Sequence, residues 1–162
     1  MTTDTAPGVI KPGTPAPEFT LRREDTSEFT REDLEGKTTV LVFYPFAFSP
    51  VCTDQMNLYH ELLGEFAARG ATLYGVSCDS SWALKAFKDK LGVDIEQLSD
   101  FEPKGTVARA FGAYFEPRGM TNRALVLVGP DGKVRWSHLA DSPSDLPGVG
   151  LIFDGLAATA PG

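Results

Sequence analysis

Residues 38–56, TTVLVFYPFAFSPVCTDQM, run from a dense apolar stretch through two prolines into a segment with helical spacing, and they contain one of the chain's two cysteines. TTVLVFYP is rich in β-branched and aromatic residues without a clean alternation, the pattern of a strand covered on both faces. Pro45 predicts its end, because proline has no N–H to give a ladder. From Cys52 to Ala68 the apolar residues Met56, Tyr59, Leu63 and Phe66 recur at helical spacing, and the stretch closes near Gly70. A strand, a short loop and a helix follow one another, with Cys52 at the helix start.

The same order returns downstream. ATLYGVS (71–77) reads as a strand and SSWALKAFKDKL (80–91) as a helix with Trp82, Leu84, Phe87 and Leu91 toward the core, so two βα units predict parallel pairing. Upstream, EFTLRREDTSEFT (18–30) predicts a short hairpin in which Phe19 and Leu21 alternate and REDTS turns. SDFEPKGTVARAFGAY (99–114) reads as a loop and a short helix starting near Pro103. RALVLV, GPDGK and VRWSHL (123–139) form a hairpin around an Asp-Gly turn, and a last amphipathic helix begins around Gly148 and runs through Phe153 and Leu156. The expected fold is α/β and thioredoxin-like, a mixed central sheet with helices on both faces and an N-terminal β-hairpin. Residues 1–16, with three prolines and two glycines, read as a flexible lead, and 17–162 as a single domain.

A chain of 162 residues with 42% hydrophobic and 23% charged residues is an ordinary globular composition, long enough to fold without disulfides. A net charge of -7 without a Lys/Arg cluster argues against nucleic-acid partners. No apolar run approaches the ~20 residues of a membrane span, and the first ten residues lack the pattern of a signal peptide, so the expected location is cytoplasmic. The cysteines at 52 and 78 fit neither a disulfide framework nor a CxxC pair, and with the two histidines they give no zinc spacing. Neither a metal nor another cofactor is expected.

In a reducing compartment such thiols are either packing residues or chemically active ones. A sulfur in the first turn of a helix lies near unpaired backbone N–H groups and the positive end of the helix dipole, both of which favour the thiolate. Pro50 suits a helix beginning there. Phe46, Ala47 and Phe48 would form an apolar collar, and Ser49 could bring a hydroxyl into the same space. These features favour a reactive thiol at Cys52 over a buried packing residue. Asp54 and Asp79 read as helix-start charges, and His60 and His138 as surface or packing residues.

Pro45, Ser49 and Cys52 resemble the peroxiredoxin active-site motif PxxxTxxC in its Ser form. The flanks KPGTPAPEFTL, GVSCDS, LSD and NRALVLVGPDGKV follow in the family's order over nearly the whole chain. The resemblance implies a thiol peroxidase that reduces hydrogen peroxide and organic hydroperoxides. Cys52 would attack the peroxide and become a sulfenic acid, Ser49 would hydrogen-bond the peroxide, and Pro45 would shield the sulfur. The family's arginine beside the thiolate matches Arg123, whose guanidinium would stabilise the thiolate and donate to the peroxide. A solvent-facing strand end is the other reading of Arg123, and Arg109 and Arg118 are weaker candidates. Gln55 stands where many members carry glutamate, which leaves an orienting role there open.

Cys78, at the end of a predicted strand, is the only internal candidate to resolve an oxidised Cys52. In the family its segment usually supplies a packing residue, so an external thiol is the preferred reductant. The FEPRGMTNRA stretch resembles the small bacterial alkyl hydroperoxide reductase E type. That likeness implies a small thiol, a glutaredoxin or a thioredoxin as reductant and a homodimer formed by loops near the site; Phe46, Phe48 and Met120 read either as core packing residues or as lining an access path or that interface. Two further readings use the same cysteine: an atypical two-cysteine peroxidase resolved by Cys78, and a redox-sensing interaction protein. A general thiol–disulfide oxidoreductase is disfavoured because CTDQ lacks the second cysteine of CxxC.

Overall fold

The protein is described here by a computed structural model covering residues 8–143 and 145–159. In chain order its elements begin with the hairpin β1 (Thr20–Arg22) and β2 (Glu28–Thr30), then β3 (Thr38–Phe43), helices α1 (Pro50–Glu61) and α2 (Leu63–Ala68), β4 (Ala71–Ser77) and α3 (Ser81–Leu91). They continue with β5 (Glu96–Ser99), α4 (Thr106–Ala110), β6 (Tyr114–Phe115), β7 (Met120–Thr121), β8 (Ala124–Val128), β9 (Val134–Leu139) and α5 (Val149–Thr159). Seven strands form one sheet in the order β2-β1-β5-β4-β3-β8-β9, and β6 pairs with β7 in a small sheet of its own.

β3 runs parallel to β4, and β4 to β5, whereas β3–β8, β8–β9, β1–β2 and β1–β5 are antiparallel. The sheet is therefore mixed, as the two βα units and the Asp-Gly hairpin predict. Side chains alternate along β3: Val40 and Val42 join the core formed with Met56 and Tyr59 of α1, Phe66 of α2, Leu84 and Phe87 of α3 and Ile152 of α5. Leu41 and Phe43 face the opposite core, closed by Leu21 and Phe29 of the hairpin and by Val107 of α4. Both faces are covered, which explains why the β3 sequence shows no alternation.

Several elements depart from expectation. The first helix begins at Pro50 and not Cys52, because proline is tolerated at the first helical position, and it breaks at Leu62 (φ -112°), two residues before Gly64. Trp82 does not face the core and is exposed. Two residues along a helix is about 200°, so Trp82 cannot share a face with the buried Leu84. The helix expected near Pro103 starts at Thr106. β5 carries no strand pattern in the sequence, because its centre is polar: Gln97 is wholly buried, accepting from the Tyr44 hydroxyl at 2.5 Å and donating to the Ile95 carbonyl at 3.0 Å.

Of the expected lead, residues 8–16 run along the body of the domain, and residues 1–7 lie outside the described residues. Backbone hydrogen bonds link Ile10 to Phe111, Gly13 to Val134 and Ala16 to Gly132. Among the described residues no helix is long and apolar enough to cross a membrane.

Candidate active site

The carboxyl ends of parallel strands lie on one edge of a sheet, and the loops that leave β3 and β4 there build the site. After Phe43 the chain continues through the buried Tyr44 and Pro45 and crosses in four residues to the first turn of α1. This crossing is tight. Phe48 takes φ +72°, a left-handed conformation that costs a non-glycine residue free energy and persists where surrounding contacts fix it. One such contact is its ring, edge-on to Phe87 with centroids 5.1 Å apart.

Asp79 is a second anchor that the sequence did not reveal. Ser80 caps α3, its hydroxyl accepting from the Ala83 N–H at 3.2 Å. The Asp79 carboxylate instead accepts the Ala47 N–H at 2.8 Å and the Ser77 hydroxyl at 2.6 Å, tying the loop after β3 to the end of β4. The helix-start reading of Asp79 gives way to this loop-holding contact.

Ser49 sits at the cap position of α1 but makes no side-chain cap. Its hydroxyl donates to the Phe46 carbonyl at 2.9 Å, which leaves the oxygen lone pairs to accept from another donor. Pro50 has no N–H, so the first amides of the helix are those of Val51 and Cys52, groups that find no partner within a helix. Cys52 stands in this turn and is fully buried among Tyr44, Met56 and Val42.

Arg123 reaches the sulfur from the opposite side of the sheet order, just before β8. The residue is only 2% exposed, and all three guanidinium nitrogens have acceptors: Nη2 donates to Cys52 Sγ at 3.1 Å, Nη1 to Gln55 Oε1 at 2.9 Å and Nε to the Pro143 carbonyl at 2.6 Å. The solvent-facing reading of Arg123 does not hold. Arg109 pairs instead with Glu116 and covers the Tyr114 ring, 3.9 Å from its centroid. No carboxylate among the described residues forms an ion pair with Arg123, so a thiolate at Cys52 would be its compensating charge.

Gln55, reached one turn after Cys52, contributes more than helical filling. Besides accepting from Arg123 it donates to the Tyr59 hydroxyl at 3.2 Å, and Tyr59 donates to the Pro147 carbonyl at 2.6 Å. Burial pushes Tyr59 up to about 12, so it remains a donor at neutral pH.

The phenylalanine collar is looser than expected, because Phe46 and Phe48 expose 43% and 49% of their surface. Met120 is buried in β7. Cys78 is buried as well, with Sγ 3.2 Å from the Thr121 hydroxyl, and burial pushes its thiol up. His60 is a packing contact whose Nδ1 accepts the Asp94 N–H at 3.1 Å.

A cysteine in a first helical turn, paired with a buried arginine from a distant strand, is the geometry on which relatedness can be judged. Residues 12–137 match the model of the AhpC/TSA family. The chain belongs to that family. It is 30% identical over 151 residues to the alkyl hydroperoxide reductase E of Mycobacterium tuberculosis, covering 93% of this chain and 98% of that one. Among solved structures, Enterococcus faecalis AhpC superposes with a TM-score of 0.83 at 26% identity, covering 94% of this chain and 92% of that one. Peroxidoxin BcpB from Mycobacterium tuberculosis gives 0.78 at 26% identity over 93% and 96%. As a member of this peroxiredoxin family, with the thioredoxin-like fold, the chain is a thiol-dependent peroxidase, an enzyme that acts on peroxides with thiol reductants.

Proposed function

We propose that Cys52 is the peroxidatic thiol and that Ser49, Arg123 and Pro45 complete its site. The observation that carries this reading is the Arg123 Nη2 to Cys52 Sγ hydrogen bond of 3.1 Å, made by a buried guanidinium with no carboxylate partner among the described residues. The Cys52 thiolate attacks one oxygen of a hydroperoxide; the S–O bond forms as the O–O bond breaks. Cys52 becomes a sulfenic acid, and the departing oxygen takes up a proton and leaves as water or an alcohol. Arg123 stabilises the charge that moves from sulfur to the leaving oxygen. Ser49, oriented by the Phe46 carbonyl, accepts the peroxide O–H through its free lone pairs, and the buried Pro45 shields the sulfur from the strand side.

An external thiol, whether a small thiol, a glutaredoxin or a thioredoxin, condenses with the sulfenic acid to a mixed disulfide and water, and a second thiol releases Cys52 as the thiol while the reductant leaves as its disulfide; a reducing compartment such as the cytoplasm suits that cycle. Support for this comes from Cys78, whose burial disfavours its thiolate and whose sulfur is engaged with Thr121. Residues 17–162 act as one domain in this reading.

A homodimer is part of the same proposal. Phe46 and Phe48 follow β3, Trp82 (75% exposed) follows β4 and Phe101 (56% exposed) follows β5, so four exposed aromatic residues lie in the segments beyond the carboxyl ends of three parallel strands. Sedimentation of the wild type and of Trp82→Glu tests this: a dimer weakened by the substitution is expected, and a wild-type monomer at all concentrations would refute it.

The decisive chemistry is read by treating the reduced protein with one equivalent of hydrogen peroxide and trapping with dimedone. A dimedone adduct mapped to Cys52 is expected. An adduct absent from Cys52, with peroxide consumed, would overturn the proposal.

A further inference from the structure

Gln97 is a wholly buried amide in the middle of β5, and room has been made for it on the neighbouring strand. Its register partner on β4 is Gly75, where a Cβ would collide with the Gln97 amide oxygen. A glycine inside a strand weakens it, and the close approach of this side chain is the physical reason for one here. Because β4 lies between β5 and β3 in the sheet, the bare backbone at Gly75 lets the amide cross toward the end of β3.

What the amide reaches there is specific. A backbone carbonyl can only accept, so the Gln97 atom 3.0 Å from the Ile95 carbonyl is Nε2, and Oε1 is left to accept the Tyr44 hydroxyl at 2.5 Å. Nε2 also lies 3.6 Å from Met56 Sδ. Tyr44 leads through Pro45 into the loop that ends at Cys52, and Met56 follows Cys52 by one helical turn on the same face of α1. Tyr44, Cys52 and Met56 are all wholly buried in one core cluster. A single side chain from β5 therefore grips both the segment entering the Cys52 turn and the helix leaving it.

We propose that Gln97 is a positioning residue for Cys52: by clamping Tyr44 and Met56 from across Gly75 it fixes the turn that presents the sulfur. This rests on the reading of Cys52 as the peroxidatic thiol. Attack on a peroxide needs the sulfur held closely in place, whereas a reductant's thiol must reach a sulfur that is wholly enclosed at rest. The clamp thus favours the first half-reaction and opposes the second.

The test uses Cys78→Ser as the parent, so that Cys52 is the only thiol, and compares it with Gln97→Leu, Tyr44→Phe and the two combined. Single-turnover reaction with hydrogen peroxide, reduction of the oxidised protein by dithiothreitol and alkylation of the reduced protein by iodoacetamide are timed beside thermal melts. Gln97→Leu is expected to slow the peroxide reaction by about tenfold and to speed reduction and alkylation several-fold. Adding Tyr44→Phe removes the hydroxyl left unpaired, so the double variant is expected to regain most of the thermal midpoint and to keep the slow peroxide reaction. A peroxide rate that returns to the parent's together with the midpoint would make Gln97 merely structural and overturn the proposal, as would a folded Gln97→Leu with the parent's rates. If Gln97→Leu does not fold, Tyr44→Phe decides, and unchanged peroxide and alkylation rates refute the clamp. A parent that consumes no peroxide at Cys52, with alkylation still faster in Gln97→Leu, would instead refute the peroxidatic assignment and leave the clamp standing.

Discussion

Arg123 Nη2 donates to Cys52 Sγ at 3.1 Å across 71 residues of chain, and it does so from a fully enclosed position. Lysine cannot reproduce this geometry, because one ammonium cannot serve the sulfur, the Gln55 amide and the Pro143 carbonyl in a fixed plane. Arg123→Lys is expected to slow the reaction of Cys52 with peroxide on the order of a hundredfold, the scale of losing one preorganised donor. Stopped-flow rates at saturating reductant measure it.

Asp79 should matter to activity without touching the sulfur. Its carboxylate holds the Ala47 N–H and the Ser77 hydroxyl, so Asp79→Ala releases the loop that sets Phe48 and Ser49. Peroxide consumption is expected to fall several-fold, and amide exchange at Ala47 to accelerate. Because each lost hydrogen bond is worth about 1 kcal/mol net, the thermal midpoint should drop only by a few degrees.

Asp100 gives the chain a pH-dependent stability term of definite sign. Burial pushes its carboxyl up to about 6 from the ordinary 3.8, against the opposing effect of the Ala108 and Val107 N–H groups that it accepts at 2.8 and 3.1 Å. Between those two values the folded state binds the proton more tightly than the unfolded state does, so the contribution of Asp100 to stability is present at low pH and is lost as pH rises to about 6. Its full size is a few kcal/mol at most. Denaturant melts from pH 4 to pH 7 on the wild type and Asp100→Asn should differ by a term that changes over this window and is flat above it.

Cys78→Ser is expected to retain peroxide turnover with an external thiol within about twofold, since the serine hydroxyl can keep the contact to Thr121. Intact mass of the peroxide-treated wild type should show added oxygen and no loss of two hydrogens. An internal disulfide would restore the two-cysteine reading.

Much of this fold can be read from local pattern. β3 with α1, β4 with α3, and the β8–β9 hairpin each pair a strand composition with a turn or cap signal within a short window. β5 escapes such reading because its buried Gln97 is satisfied by Tyr44, 53 residues away. Trp82 is an apolar residue next to a periodic face, so in sequence it looks like part of that face although it is exposed. At the site, Cys52, Ser49 and Pro45 share one loop and are visible as a motif, and Arg123 was visible through resemblance. The link from Arg123 through Gln55 and Tyr59 to Pro147 was not visible, since hydrogen-bond direction depends on which elements meet in space.

The most direct measurement is stopped-flow consumption of hydrogen peroxide by reduced wild type beside Cys52→Ser, at equal concentration and with thiol reductant present. The account predicts rapid consumption by the wild type and none above the reductant's own background for Cys52→Ser. Full consumption by Cys52→Ser would contradict it.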